Sequence, residues 1–214
     1  MIMQRFLYSV CRSLLILVCL LLALSGQSRA SEQKILVFGD SISAAYGMSL
    51  EQGWVAQLAR ELEEQNQPYT VVNASISGET TAGGLRRLPS LLEEHLPRIV
   101  IIELGGNDGL RGYPLKTLQK NLTQMVHMAQ QASAKVILLP MEIPPNYGAR
   151  YTNGFHQTYR AVAEQTDSAL APFILEHVAL DATLVQADGI HPTVEAQAMM
   201  LATVLPTIVR ELTD

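Results

Sequence analysis

Cysteine is nearly absent from this 214-residue chain, and its two cysteines, Cys11 and Cys19, both lie close to the N-terminus. The rest of the chain therefore has no thiol for a disulfide or for a thiolate nucleophile. Basic residues are also scarce, because 15 Lys and Arg stand against 20 Asp and Glu, and the formal net charge is -5. This excess of acid disfavours binding to nucleic acid or to an anionic membrane surface by bulk electrostatics.

Long apolar runs are missing beyond the N-terminus. The one that exists, Leu14 to Leu24, follows a segment with Arg5 and Arg12 and no acid, and it precedes Ser28-Arg29-Ala30. Its length is about half of the roughly 20 residues that a membrane-spanning helix needs. A basic start, a short apolar core and a small-x-small end predict a signal peptide over residues 1–30, cleaved near Ala30.

Cleavage after Ala30 leaves residues 31–214, which contain no cysteine. It also removes three arginines and no acid, so the formal net charge changes from -5 to -8. A chain of this length forms one domain with an adequate core. We therefore expect a single domain over residues 31–214, periplasmic or secreted, monomeric and without a stable membrane anchor. A lipoprotein anchored through Cys19 is disfavoured, because Leu20 to Leu24 continues the apolar run beyond that cysteine.

Short apolar runs without polar alternation predict parallel strands that are buried on both faces. These runs are Ile35 to Phe38, Thr70 to Val72, Ile99 to Leu104 and Val136 to Leu139. Helix-like spacing predicts helices at Trp54 to Gln65, Gly84 to His95, Leu115 to Ala134, Gln157 to Ala169 and Glu195 to Glu211. The alternation of strands and helices predicts an α/β fold, a three-layer α/β/α sandwich with a central parallel sheet.

Three side chains from opposite ends of the chain form a candidate site. Gly39-Asp40-Ser41 follows the first predicted strand, and Asp188-Gly189-Ile190-His191 precedes the last predicted helix. A serine hydroxyl becomes a useful nucleophile when an imidazole takes its proton and a carboxylate fixes the tautomer and the charge of that imidazole. Ser41, His191 and Asp188 can fill these roles, which predicts a serine hydrolase.

Two further polar loops follow the second and third predicted strands. They are Asn73 to Gly78 and Gly105 to Asp108. Ligands of a parallel sheet bind at the carboxyl ends of its strands, so these loops and Ser41 are expected at one rim. Each motif is common by chance. Their occurrence together, in this order along the chain, favours a functional site over a set of ordinary turns. Asp40 and Asp108 are expected to support the turns that contain them.

Together the four motifs resemble the SGNH, or GDSL-like, hydrolases, whose name-giving residues here are Ser41, Gly78, Asn107 and His191. Longer blocks resemble the group of periplasmic multifunctional thioesterase I, protease I and lysophospholipase enzymes, which includes bacterial arylesterases. These blocks are Val71 to Thr80, Glu103 to Gly112 and Pro145 to Gly148. The resemblance implies a flavodoxin-like fold and an oxyanion hole formed by the backbone N–H groups of Ser41 and Gly78 and the Asn107 amide.

The resemblance also implies a serine esterase that hydrolyses carboxylic ester and thioester bonds through an acyl-serine intermediate. Its expected activities are those of an arylesterase, an acyl-CoA thioesterase and a lysophospholipase, with no cofactor and no metal. In the resembled enzymes, a loop after the Asn107 block moves over the acyl chain. The candidate substrate-binding residues in this loop are Gly109, Leu110, Arg111, Gly112, Tyr113 and Pro114, and Pro144, in the segment after the fourth predicted strand, is expected to add an apolar wall.

Other functions remain as alternatives. A carbohydrate O-acetylesterase of the same superfamily would keep the triad but prefer acetyl groups, and an acyl-ligand binding protein on this scaffold could dispense with Ser41 and His191. An α/β-hydrolase lipase is disfavoured because its serine lies in Gly-x-Ser-x-Gly. A metal hydrolase would need more ligands than Asp188 and His191 supply. The expected partner is a small acyl ester or thioester, with no nucleic acid.

Overall fold

A computed structural model of the protein describes residues 33–213. The signal peptide predicted over residues 1–30, with its cleavage site at Ala30, lies outside the described residues. The prediction of a single domain over residues 31–214 remains a prediction.

Five parallel strands form one sheet in the order β2-β1-β3-β4-β5. They are β1 Gln33–Gly39, β2 Tyr69–Asn73, β3 Ile99–Glu103, β4 Lys135–Leu138 and β5 Ala169–Leu170. The first four confirm the predicted strands to within one or two residues at their ends. Strand β5 was not predicted, because a two-residue edge strand leaves almost no apolar pattern in the sequence.

Within the described residues, six α-helices accompany the strands. They are α1 Trp54–Glu64, α2 Thr81–His95, α3 Gly106–Leu110, α4 Leu115–Gln131, α5 Ala149–Thr166 and α6 Gln197–Thr213, with 3-10 turns at Leu50–Gln52 and Pro145–Tyr147. Helix α3 was not predicted, because it has only five residues and two of them are glycine.

The predicted helix Gln157 to Ala169 was wrong at both ends. Helix α5 begins at Ala149, directly after Gly148, and ends at Thr166. Its end is fixed by Asp167, whose left-handed backbone (φ 51°) stops the helix. Ala169, which was assigned to the helix, pairs with Ile137 in the sheet instead.

Helices flank the sheet in two groups. Helix α1 packs against α6, whereas α4 packs against both α2 and α5. Right-handed crossovers between parallel strands place such groups on opposite faces of the sheet. The structure thus confirms the three-layer α/β/α sandwich. Within residues 33–213, none of the helices is long and apolar enough to cross a membrane.

The central strands β1 and β3 determine where the chemistry can occur. Ile35 to Phe38 and Ile99 to Ile102 are fully buried, and the register pairs Gly39 with Glu103. The chain leaves β1 toward β2 on one side and leaves β3 toward β4 on the other, so the sheet order reverses between them. Open α/β sheets bind their ligands in the crevice at this switch point.

Candidate active site

The nucleophile turn, residues 39–47, follows β1 at the switch point. The Asp40 carbonyl accepts the Ala44 N–H at 2.9 Å, and the Ser41 carbonyl accepts the Tyr46 N–H at 3.2 Å. The Asp40 carboxyl oxygen Oδ1 accepts the Ile42 N–H at 3.1 Å. These bonds hold Ser41 at the rim of the sheet, where its side chain is half-buried. Asp40 supports the turn as the sequence predicted.

The loop before α6 is a tight reversal closed by an isolated antiparallel bridge between Val185 and Pro192. At its tip, Asp188 Oδ1 accepts the Ile190 N–H at 2.9 Å and the His191 N–H at 3.0 Å. An Asp side chain that accepts backbone N–H groups two and three residues later stabilises such a turn. One carboxylate oxygen therefore orders the loop, which leaves the other free for the His191 ring.

The three predicted triad residues meet in the structure. His191 Nδ1 lies 2.6 Å from Asp188 Oδ2, and His191 Nε2 lies 2.8 Å from Ser41 Oγ. Both distances allow hydrogen bonds, so the ring can carry its proton on Nδ1 and accept one at Nε2. Hydrogen bonds from the His191 backbone and from its ring lower the pKa of Asp188 to about 2. The Asp188 carboxylate therefore stays charged at neutral pH.

Sequence reasoning missed two residues that hold the His191 loop against the nucleophile turn. Gln186 Nε2 donates to the Tyr46 carbonyl at 2.8 Å and to the Pro192 carbonyl at 2.9 Å. The Tyr46 ring lies against the His191 ring, with 4.2 Å between their centroids. Tyr46 could have been identified from the sequence, because it lies on the same turn as Ser41. No local sequence pattern identifies Gln186 as part of the site.

Gly78 and Asn107, the other two residues that the resemblance singles out, lie in the segments after β2 and β3. Gly78 has a left-handed backbone, with φ +80°, and the space beside its Cα is open. Asn107 lies at the start of α3 and donates through Nδ2 to Asp40 Oδ2 at 3.0 Å. A primary amide has two N–H donors, so this bond leaves one for another acceptor.

Asp108 serves a neighbouring helix. Its carboxylate accepts the Thr81 N–H at 2.9 Å and the Thr81 hydroxyl at 2.6 Å, at the first residue of α2. Asn121 of α4 in turn donates to the Thr81 hydroxyl at 3.0 Å. Asp108 thus joins the loop after β3 to α2, so it has a supporting role, but toward a neighbouring helix rather than toward its own turn.

The candidate substrate-binding residues form one edge of this rim. Gly109 and Leu110 belong to α3, Arg111 to Tyr113 form an exposed loop, and Pro114 precedes α4. The loop contacts the oxyanion candidates, because Arg111 Nη2 donates to the Gly78 carbonyl at 3.4 Å. Pro144, also exposed, comes directly before the 3-10 turn that contacts α3.

Two tyrosines attach this loop to the chain after β4. The Tyr147 hydroxyl donates to the Leu110 carbonyl at 2.7 Å, and the Tyr151 hydroxyl donates to the Tyr113 carbonyl at 2.6 Å. Both donors come from the region 145–151, far from the loop in sequence.

Among residues 33–213, no three His, Cys, Asp or Glu side chains form a group that could hold a metal ion.

Comparison with protein families gives one match over most of the chain. Residues 37–199 match the GDSL-like Lipase/Acylhydrolase family. This range includes Ser41, Gly78, Asn107, Asp188 and His191.

Individual proteins are similar over nearly the same range. The chain is 53% identical to Esterase TesA of Pseudomonas aeruginosa over 197 residues, 92% of this chain and 98% of TesA. It is 45% identical to an arylesterase of Vibrio mimicus over 193 residues, 90% of this chain and 96% of that protein. It is 43% identical to Thioesterase 1/protease 1/lysophospholipase L1 of Escherichia coli K12 over 168 residues, 78% and 79% of the two chains. A crystal structure of TesA matches with a TM-score of 0.82, covering 84% of this chain and 99% of the other.

Proposed function

The chain belongs to the GDSL-like lipase/acylhydrolase family and hydrolyses ester and thioester bonds of acyl substrates, and we propose that Ser41, His191 and Asp188 are its catalytic triad. The observation that carries this proposal is the continuous path from Ser41 Oγ through the His191 ring to Asp188 Oδ2, with steps of 2.8 and 2.6 Å. A serine and a base in hydrogen-bond contact, with the base oriented by a third group, are the signature of an activated nucleophile.

In the acylation step, Ser41 Oγ forms a bond to the acyl carbonyl carbon while His191 Nε2 takes the hydroxyl proton. Asp188 holds the ring through Nδ1 and stabilises the imidazolium that results. The tetrahedral intermediate then breaks its bond to the leaving oxygen or sulfur, and His191 gives that atom the proton. The acyl group remains on Ser41 as an ester.

In the deacylation step, water takes the place of the leaving group. His191 Nε2 accepts a proton from the water as its oxygen attacks the acyl carbonyl. The second tetrahedral intermediate breaks its bond to Ser41 Oγ, which recovers its proton from His191. The carboxylic acid leaves and the resting site returns.

The negative charge on each tetrahedral intermediate needs donors that are already in place. We assign this role to the backbone N–H groups of Ser41 and Gly78 and to the Asn107 amide. The bond from Asn107 to Asp40 supports this assignment, because it fixes one N–H and thereby orients the other. The open space beside Gly78 supports it as well, because a substrate oxygen can approach the backbone there.

The substrates are small acyl esters and thioesters, and we assign their acyl chain to the rim formed by residues 109–114 and Pro144. Arg111 is the one charged side chain in that loop, so the lining is suited to an apolar tail rather than to a phosphate or a sugar. We also propose that the protein is monomeric and has no nucleic-acid partner. The excess of acidic residues supports the exclusion of nucleic acid.

We also propose that residues 1–30 direct export, that cleavage follows Ala30, and that the mature enzyme works in the periplasm or outside the cell. The basic start and the short apolar core of the N-terminal segment support this.

The test is a substrate panel of aryl esters, acyl-CoA thioesters and lysophospholipids with acyl chains of increasing length. Ser41→Ala is expected to abolish hydrolysis of every class, whereas Ser90→Ala, which changes an exposed serine of α2, is expected to keep full activity. Hydrolysis by Ser41→Ala at the wild-type rate would exclude the triad mechanism. A strong preference for acetyl esters of sugars would favour the carbohydrate O-acetylesterase instead.

A further inference from the structure

A carboxyl group that the triad does not use lies directly under the nucleophile turn. Glu103, the last residue of β3, is fully buried. Its Oε2 accepts the Ser43 hydroxyl at 2.7 Å and the Asp40 N–H at 3.3 Å. No donor among residues 33–213 reaches its Oε1. In that part of the chain, Glu103 also takes part in no salt bridge.

The nucleophile turn is shaped to admit this side chain. A Cβ on Gly39 would stand 2.5 Å from Glu103 Oε2 and 2.8 Å from Ser43 Oγ. Only glycine therefore lets the backbone before Ser41 approach the Glu103 carboxyl group so closely. The sequence carried a signal for Glu103, because it is the single charged residue in the apolar run from Ile99 to Leu104.

The Glu103 and Asp40 carboxyl groups are also close enough to shift each other's pKa. Two carboxyl groups form a hydrogen bond only when one of them carries a proton. Asp40 accepts from Ile42 at one oxygen and from Asn107 at the other, so both of its oxygens act as acceptors. A hydrogen bond between the two carboxyl groups would therefore take its proton from Glu103, whose Oε1 receives no donor.

The electrostatic surroundings of Glu103 also favour a proton on its carboxyl group. Burial, and then the charge of Asp40, raise the pKa of Glu103 well above its ordinary range. Burial also raises the pKa of Asp40, but only to about 6, because its hydrogen bonds and the nearby His191 act in the opposite direction, so Asp40 is a carboxylate at neutral pH. Both carboxyl groups also raise the pKa of the buried Tyr159, which supplies no positive charge.

We propose that Glu103 is a positioning residue for hydrolysis, a neutral carboxylic acid that hydrogen-bonds to the Asp40 carboxylate and thereby fixes the Asn107 amide beside Ser41. The inference rests on the proposed function, because it gives Asn107 a role only if Asn107 stabilises the oxyanion. Asp40 connects the two parts, since its carboxylate holds both the turn after Ser41 and the Asn107 side chain. The single negative charge of the pair also favours the imidazolium that His191 becomes during the reaction.

Two substitutions at Glu103 separate positioning from simple packing. Glu103→Gln keeps a neutral donor toward Asp40 and an acceptor for Ser43, and it is expected to keep kcat within about threefold of wild type. Glu103→Leu removes both and is expected to lower kcat by roughly tenfold to a hundredfold with little change in KM, because the oxyanion contact acts in the transition state. Thr166→Val, which removes a buried hydroxyl bond at the far end of α5, is the control for destabilisation without loss of kcat.

A second measurement applies if Glu103→Leu does not fold. A carboxyl group whose pKa is raised by folding stabilises the native state at low pH, and this contribution is lost as pH rises through its folded-state pKa. The Tm of Glu103→Gln minus that of wild type is therefore expected to increase between pH 5 and pH 9. Parallel Tm curves over that range would overturn the neutral acid.

The outcomes distinguish this inference from the triad itself. Full kcat in Glu103→Leu, or equal losses in the Leu and Gln variants, would overturn the positioning role while an inactive Ser41→Ala enzyme still upheld the triad. Activity in Ser41→Ala would remove the proposed function, whatever the Glu103 variants do.

Discussion

At the scale of single residues, Asn107 joins the turn that holds the nucleophile to the proposed oxyanion hole. One of its amide hydrogens is bound to Asp40, which leaves the other for the substrate oxygen. We expect Asn107→Ala to lower kcat by roughly 10²- to 10³-fold, as loss of one oxyanion donor does in subtilisin, with KM nearly unchanged. Steady-state kinetics on a short aryl ester measures both constants, and an unchanged kcat would remove Asn107 from this role.

Asp188 offers a substitution that separates charge from folding. In Asp188→Asn, an amide oxygen can still accept the Ile190 and His191 N–H groups, but the carboxylate that faces the ring is lost. We expect kcat to fall by about 10⁴-fold, the size of the effect in trypsin-like enzymes. Asp181→Asn, in an exposed turn of the same kind, is the matched control and is expected to retain full activity.

The pKa of Asp188 also makes a prediction about pH. Because hydrogen bonds lower this pKa to about 2, the carboxylate loses its charge only as pH falls through that value. A pH–rate profile of kcat/KM between pH 4 and pH 9 is therefore expected to contain no step that belongs to Asp188. Such a step above pH 4, absent from Asp188→Asn, would contradict the hydrogen bonding seen at Asp188.

Residues at this scale differ in how far the sequence reveals them. Ser41 and His191 lie in short motifs that carry their own chemistry, so the sequence predicted them and the structure brings them together. Gln186 donates a hydrogen bond to Tyr46, 140 positions away, and no local pattern could show this. Glu103 is an intermediate case. The sequence shows a charged residue inside a buried strand, but it does not show which residues that side chain contacts.

At the scale of elements, the segment of residues 110–114 is bonded to two tyrosine hydroxyls from the chain after β4. Removing both, in Tyr147→Phe with Tyr151→Phe, costs about 1 kcal/mol for each hydrogen bond. We expect faster amide hydrogen exchange in this loop and a larger loss of kcat/KM for long acyl chains than for short ones. Tyr69→Phe removes a similar bond, to Leu212, and is the control that leaves the loop unchanged. Equal exchange rates in the double variant and wild type would show that the hydroxyls do not hold the loop.

The elements with strong apolar patterns were predicted well, whereas those shaped by tertiary contacts were not. Strands β1, β3 and β4 have continuous Val, Ile and Leu runs that need no partner to be recognised. Helix α5 begins well before the predicted position, in a segment that contains Gly154 and has few apolar residues. Its first turns are held by packing against α4 and by Tyr151, which single-sequence periodicity does not show.

At the scale of the whole molecule, the sheet order brings Asn107 against the turn that contains Ser41, because β1 and β3 are neighbours at the switch point. The alternation of elements predicted a parallel sheet, but not this order, since order depends on which strands pair.

The mature chain is proposed to begin at Ser31. N-terminal sequencing of enzyme recovered from a periplasmic fraction is expected to start at that residue, and active enzyme confined to the cytoplasm with Met1 intact would contradict export.

The proposed mechanism requires a covalent acyl-serine intermediate at Ser41. A fluorophosphonate, which reacts with activated serines, can trap that nucleophile, and mass spectrometry of the digested protein can locate the adduct. We expect one adduct per chain on the peptide that contains Ser41, loss of activity in proportion to labelling, and no adduct in Ser41→Ala. Inactivation of the wild-type enzyme with the adduct on any other residue would contradict the account.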